Sequence, residues 1–334
     1  MNLHPNDRCT TVPYYEDEDD ENNTRFARDK NGKRIEVPSN MKYEEFADKY
    51  INKDYKEIAE ELSNRKPKDN FETYKDNYKK LTTNKDNKEY VNKTTDILKA
   101  KYPKEIQNAY LKAGEKMTDW LELDTDEAYF IGGKNAIGGQ NAICLNAKRR
   151  QKIAKEHGFS EYEVWFHENG HAIDTIIGGD KKISSDKNFI KTLYKDFENM
   201  KKNIFIEQNK RLINKERNTI RIRRDEYNLD EYIKGLSDKD LYDLFSNQFR
   251  GKDKTHGIQD IISGITNSKV SLKYSHSKDY WNRDNREEEV ASESWANILG
   301  SMCDDETYEY MNKYFPNSVE WVNKTLKEKI KKEK

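Results

Sequence analysis

The sequence predicts an α+β fold: a small mixed sheet and a central histidine-bearing helix, preceded by a mainly helical N-terminal region. Three observations predict it. Charged stretches with tyrosines and leucines at loose helical spacing fill much of the chain on either side of the middle. In the middle, "EAYFIGGKNAIGGQNAICLNA" has paired glycines and short apolar runs, the texture of short strands and tight turns. Immediately after it, "SEYEVWFHENGHAIDTIIGG", residues 160–179, carries start and stop signals for one helix.

The first forty residues differ from the rest. Six consecutive acidic residues, Glu16 to Glu21, read as a solvated loop. "RFARDKNGKRIEV" sets Asn31-Gly32 between short alternating runs, a two-residue hairpin signal. Ser39 or Asn40 then caps a helix from about Met41, and three or four short helices follow up to about residue 118, with the role of scaffold or linker. Two or three strands are expected around Tyr129 and Ile143. Residues 180 to 256 return to long charged helical patterns, with Ser237 and Asp240 marking one helix start. The expected division is therefore 1–40, 41–118, and a domain over 119–334 that carries a helical insertion at about 180–256.

Composition excludes several classes of function. The chain has 334 residues, enough to enclose a site, yet 37% are charged against 34% apolar, so much of its length is solvated helix surface. Basic and acidic residues balance at 61 and 62, which gives no electrostatic case for nucleic acid or an anionic membrane. Cys9, Cys144 and Cys303 are odd in number and scattered, arguing for free thiols and against a cysteine-built metal site. The opening "MNLHPNDRCT" lacks the apolar core of a signal peptide and no run is long enough to span a bilayer; the expectation is a soluble protein made in a cytoplasm.

The helix at 161–177 carries the chemistry. Ser160 with Glu163 reads as a capping box and Gly178-Gly179 as a stop. Trp165, Phe166, Ile173, Ile176 and Ile177 give a broad apolar surface, whereas Val164, His167, His171 and Asp174 recur along another face. Histidines at i and i+4 project the same way from successive turns, so both imidazoles can converge on one zinc ion. Glu168 is rotated about 100° from His167, which suits a base beside a metal-bound water better than a third ligand. H-E-x-x-H arises by chance in roughly one chain of this composition in a hundred. Asp174 is either the acceptor that fixes a ligand imidazole's tautomer or a surface carboxylate in the last turn.

A third ligand has to come from elsewhere, and "NREEEVASESWANILGSM" is the best source. Asp284 or Asn285 caps this helix, Glu287 or Glu288 occupies its first turn, and Glu289 and Glu293 share a face. Four glutamates so close otherwise read as a solvated helix start; with a two-histidine site in need of a ligand, Glu289 is the favourite. Tyr280 and His276, shortly before this helix, are candidate donors to an oxyanion, against the plainer roles of aromatic wall and surface histidine.

Together these pieces resemble the gluzincin metallopeptidases, and among them the group of the anthrax lethal factor catalytic domain. "HENGHAID" is similar to that group's H-E-x-G-H-A-x-D, "EVASE" to its glutamate helix, and "DETYEYMNKYFPNSVEWVNKTL" to its closing helix. The resemblance implies a zincin-like domain with Zn2+ held by His167, His171 and Glu289, Glu168 as base, Glu293 as an outer partner, and the strand near "AICLNA" as the edge where an extended peptide pairs. A second resemblance is carried by "HPNDRCTTVPY", residues 4–14, which is similar to the close of the phage Mu F-type minor head protein domain, usually H-P-N-C-R-C; here Asp7 stands in place of the first cysteine. "YSHSKDYW" and the glutamate helix resemble zincin extensions that follow that domain. These resemblances imply a zinc metalloendopeptidase acting on a protein or peptide, carried as a toxin-like or processing module of a phage minor head protein, with capsid or portal proteins as partners. A structural virion component with a stabilising zinc and a binding module with a degenerate site are the competing readings.

Overall fold

The computed structural model describes residues 24–28, 34–38, 82, 84–116, 119–122, 128–131, 142–179 and 181–332. The protein is predominantly helical with short antiparallel sheets, an α+β composition. Every described strand pair is antiparallel, so no mixed sheet is seen among the described residues. Two compact units divide the chain: residues 1–154 with 175–177, and residues 155–174 with 178–334.

In the first unit, β1 (Thr24–Arg28) and β2 (Arg34–Pro38) pair antiparallel from Thr24↔Pro38 to Arg28↔Arg34, the hairpin expected about Asn31-Gly32, although those two residues lie outside the described ones. The acidic run 16–21, the motif at 4–14 and the helix expected from Met41 also lie outside them. Two helices occupy 84–116. Helix α1 (Lys85–Lys101) starts at Asn84, whose side chain accepts from the backbone N–H groups of Asp86 and Asn87, as an N-cap should. Its buried face is Tyr90, Val91, Thr94, Thr95 and Leu98, and α2 (Lys104–Lys116) adds Ile106, Ala109, Tyr110 and Ala113. A three-stranded sheet follows in the order β3 (Asp119–Glu122), β4 (Ala128–Ile131), β5 (Ala142–Leu145), with Tyr129↔Cys144 and Phe130↔Ile143 in register. These are the expected strands, and β5 is an edge of its sheet. They belong to the same compact unit as the preceding helices. Asn87 Oδ1 accepts from the backbone N–H of Ala147 at 3.0 Å, tying α1 to the start of α3 (Ala147–His157).

The second unit is built around α4 (Glu163–Ile176), the histidine helix, and α10 (Arg286–Ser301), the glutamate helix. The predicted capping box does not form: Ser160 Oγ accepts from Tyr162 N at 3.3 Å, and the Glu163 carboxylate turns to His256 instead, 2.8 Å away. The stop after Ile176 is as expected, with Gly179 in the left-handed region at φ 76°. Residues 290–301 of α10 are buried throughout, so the helix runs through the core rather than over it. Trp295, fully buried, sits edge-on to Phe189, and both lie within reach of Trp321. Burying one such side chain contributes about 2–3 kcal/mol.

Two glycines set how closely α4 and α10 approach. A Cβ on Gly170 would stand 3.0 Å from the Ala296 Cα, and one on Gly300 would stand 3.2 Å from the His167 Cβ. Trp295 Nε1 donates to the Gly170 carbonyl at 3.0 Å across the same contact. Helix α8 (His256–Ile265) packs on the other side of α10, with Gly257 against Asn297 and Gly264 against Val290 and Trp281.

The stretch from 180 to 256 is not wholly helical. Helix α5 (Lys187–Gln208), capped by Asp186, ends where Asn209 Nδ2 turns back to the Phe205 carbonyl. A meander follows: β6 (Ile213–Asn214), β7 (Thr219–Ile222) and β8 (Asp225–Asn228). Its turns place Asn218 and Arg223 at positive φ. Helix α6 (Leu229–Lys234) and α7 (Asp238–Phe249) come next, and α7 carries the capping box expected of Ser237 and Asp240. After the short α9 (Lys278–Trp281) and α10, the tail forms two helices rather than one, α11 (Asp305–Tyr314) and α12 (Pro316–Lys332). Pro316 starts the second, where its missing N–H costs nothing. Buried Asp196 on α5 accepts from Ser318 N and Oγ, each at 2.8 Å, and so caps α12.

Candidate metal centre

His167 and His171 lie one turn apart on α4, with ring centroids 4.9 Å apart and planes at 85°. The carboxylate that meets them is that of Glu293. Its Oε2 is 3.3 Å from His167 Nε2 and 3.5 Å from His171 Nε2. These three are one of two His/Asp/Glu groupings among the described residues whose donor atoms lie close enough to hold a metal ion; the other is Asp260, His276 and Glu293. Glu289, the expected ligand, stands one turn earlier on α10, half-buried, and accepts from Asn285 Nδ2 at 2.9 Å. Asn297, four residues after Glu293, sets its Oδ1 3.1 Å from His167 Nδ1.

The surrounding polar contacts orient both imidazoles. Asn297 Nδ2 donates to Asp260 Oδ2 at 3.4 Å, so the Asn297 amide must present its oxygen to His167. His167 therefore donates from Nδ1, which leaves Nε2 with a lone pair in the neutral ring. On the other side, Ser292 Oγ is 3.3 Å from His171 Nδ1 and 3.5 Å from Asp174 Oδ2. Lys182 Nζ donates to the same Ser292 hydroxyl at 3.3 Å. Both histidines turn Nε2 toward Glu293 Oε2, a buried oxygen.

A cation seated between the two Nε2 atoms and Oε2 would be met by all three groups. A proton could bridge one imidazole to Glu293, but separations of 3.3 and 3.5 Å exceed the ~2.7–2.9 Å of charge-assisted N–H···O bonds. They match the ~3.3 Å edge of a tetrahedron whose metal–ligand bonds are ~2.0–2.1 Å. The electrostatics agree. Burial would lower the His171 imidazole, but the Glu293 carboxylate outweighs it and raises the pKa above 6.5. Burial would raise the Glu293 carboxyl, but His171 and then His276 hold it well below the usual range. Positive charge beside Glu293 is what this pocket favours.

Tyr280 and His276 are also brought to Glu293. Tyr280 donates its hydroxyl to Glu293 Oε1 at 2.5 Å; burial, then the Glu293 charge, push its pKa far above that of an ordinary phenol, so it stays a donor. His276 stacks on Tyr280 at 4.2 Å, and both its Nδ1 and its backbone N lie 2.8 Å from Asp260 Oδ1. Glu168 is half-buried beside His167, and its charge contributes to raising the His171 pKa. Asp174 is fully buried; it accepts from Ser184 N at 2.7 Å and Ser184 Oγ at 2.6 Å and reaches His171 through Ser292. Burial raises its pKa against those Ser184 bonds.

Sequence reasoning missed Asp260, Asn297 and Ser292. Asp260 leaves a signal, because an acid within the apolar run "GIQDIISGI" is costly to bury without dedicated donors. Asn297 leaves another, four residues after Glu293 on the same face. No family model matches the chain, nor does any curated protein or solved structure.

Proposed function

We propose that this protein is a zinc-dependent metallopeptidase, with His167, His171 and Glu293 as the metal-holding residues. The observation that carries the proposal is the convergence of two Nε2 atoms on one buried carboxylate oxygen, with an outer polar contact at Nδ1 of each ring. Zinc bound there would lower the pKa of a water to about 7 and polarise a scissile carbonyl.

The chain's own residues supply the rest. Glu168, next to His167 in sequence and turned about 100° from it, takes the proton of the attacking water and returns it to the leaving amine. His276, with Nδ1–H committed to Asp260, offers Nε2–H as a charged donor to the developing oxyanion when its ring is protonated. Tyr280 spends its hydroxyl on Glu293 Oε1, which turns Oε2 toward the two imidazoles. This geometry favours His276 over Tyr280 as the oxyanion donor.

A closed structural zinc is less favoured, because among the described residues three protein donors rather than four meet here and because such a site has no use for Glu168. The motif at residues 4–14 supports a setting on a phage minor head protein, as a processing or toxin-like module acting on protein substrates. Among the described residues no helix is long and apolar enough to cross a membrane. Metal analysis of the purified protein followed by cleavage profiling on a peptide library tests the proposal. One zinc per chain with cleavage abolished by Glu168→Gln is the expected result; a protein that binds no zinc overturns it.

A further inference from the structure

We propose that Asp260 is a positioning residue that sets both halves of the site at once, fixing the tautomer of His167 and the orientation of His276. The inference rests on the metallopeptidase reading and names a residue outside the metal-holding set. Asp260 lies on α8 between Ile258 and Ile261, all nearly fully buried. A carboxylate there costs several kcal/mol unless its oxygens are met by donors. Both are met, and every donor comes from the site: His276 N and Nδ1 on Oδ1, and Asn297 Nδ2 on Oδ2.

The consequence follows from what each group can donate. Asp260 accepts only, so Asn297 must give it Nδ2 and keep Oδ1 for His167, and His167 must then carry its proton on Nδ1. Replace the acid by asparagine and the order inverts. The amide introduced at position 260 would keep its oxygen for His276 and turn its NH2 group toward Asn297, which would then present Nδ2 to His167. Nδ1 of His167 becomes the acceptor, the proton moves to Nε2, and the lone pair facing Glu293 is lost. Exchanging the two residues restores the original order, because a carboxylate at position 297 accepts from His167 whatever stands at position 260.

The test uses the full chain with Asp260→Asn and the exchange pair Asp260→Asn with Asn297→Asp. Zinc affinity by chelator competition is expected to fall about 10–100-fold in the single variant and to recover in the exchange pair. In metal-free protein above the histidine titration, 15N NMR should find His167 protonated on Nδ1 in the parent and the exchange pair, and on Nε2 in Asp260→Asn. A folded Asp260→Asn that keeps parental zinc affinity and the Nδ1–H ring overturns the inference, as does an exchange pair with no recovery of either. If the parent binds no zinc, the metallopeptidase reading fails, while the NMR comparison still decides the role of Asp260.

Discussion

Gly170 on the histidine helix faces Ala296 on the glutamate helix so closely that a Cβ at position 170 would stand 3.0 Å from the Ala296 Cα. Glu293 lies one turn before Ala296, so this contact sets the distance between the carboxylate and both imidazoles. Gly170→Val forces the helices apart and is expected to destabilise the fold by about 1–3 kcal/mol through overpacking. It should also weaken zinc binding. Urea unfolding and metal titration on the same sample check both effects.

Glu293 and Glu289 separate cleanly. Glu293→Gln removes the charge that faces His167 and His171, and zinc affinity should drop by more than the ~10–100-fold typical of losing an outer partner. Glu289→Gln changes a half-buried residue that bonds Asn285 and should leave affinity near the parental value. Chelator competition on the two variants decides which glutamate holds the metal; the opposite ranking would return Glu289 to the ligand set.

Glu168→Gln keeps shape while removing the proposed base. Zinc stoichiometry should be unchanged and peptide cleavage should fall by about 10²–10⁴-fold, the range of general acid–base catalysis. Parental turnover in this variant would exclude the proposed proton transfer.

The His256–Glu163 pair makes stability depend on pH. Burial alone would lower the His256 pKa, but the Glu163 carboxylate at 2.8 Å and the Asp253 carbonyl at 3.0 Å outweigh it and raise the pKa above 6.5. A histidine raised on folding stabilises fully below its unfolded pKa, and that contribution is lost as pH rises through the folded value. The difference in Tm between the parent and His256→Gln should therefore be largest near pH 6 and shrink at higher pH. Thermal unfolding by circular dichroism across that interval measures it; a difference that grows with pH would contradict the pairing.

Much of the local structure was legible because its signals lie within a few residues of one another. The hairpin strands, the strands about Tyr129 and Ile143, the Ser237–Asp240 capping box and the helix from Glu163 to Ile176 all follow from turn residues, caps and spacing. The meander at 213–228 was hidden by the charged texture around it, and its hairpin turn uses Arg223 at positive φ where a glycine would have announced it. Ser160 failed as a capping box because Glu163 found a stronger partner, His256, far along the chain.

The sequence by itself determined that His167 and His171 share a helix face, that Glu168 lies off it, and that a glutamate helix follows later in the chain, because i, i+4 spacing is a property of the helix alone. For the turn of that second helix that meets the first it favoured Glu289, one turn too early. Only the tertiary structure decided for Glu293, because the crossing point is fixed by where two backbones can come closest, at Gly170 with Ala296 and Gly300 with His167. Helix period fixes which residues share a face; packing fixes how far along that face the contact falls.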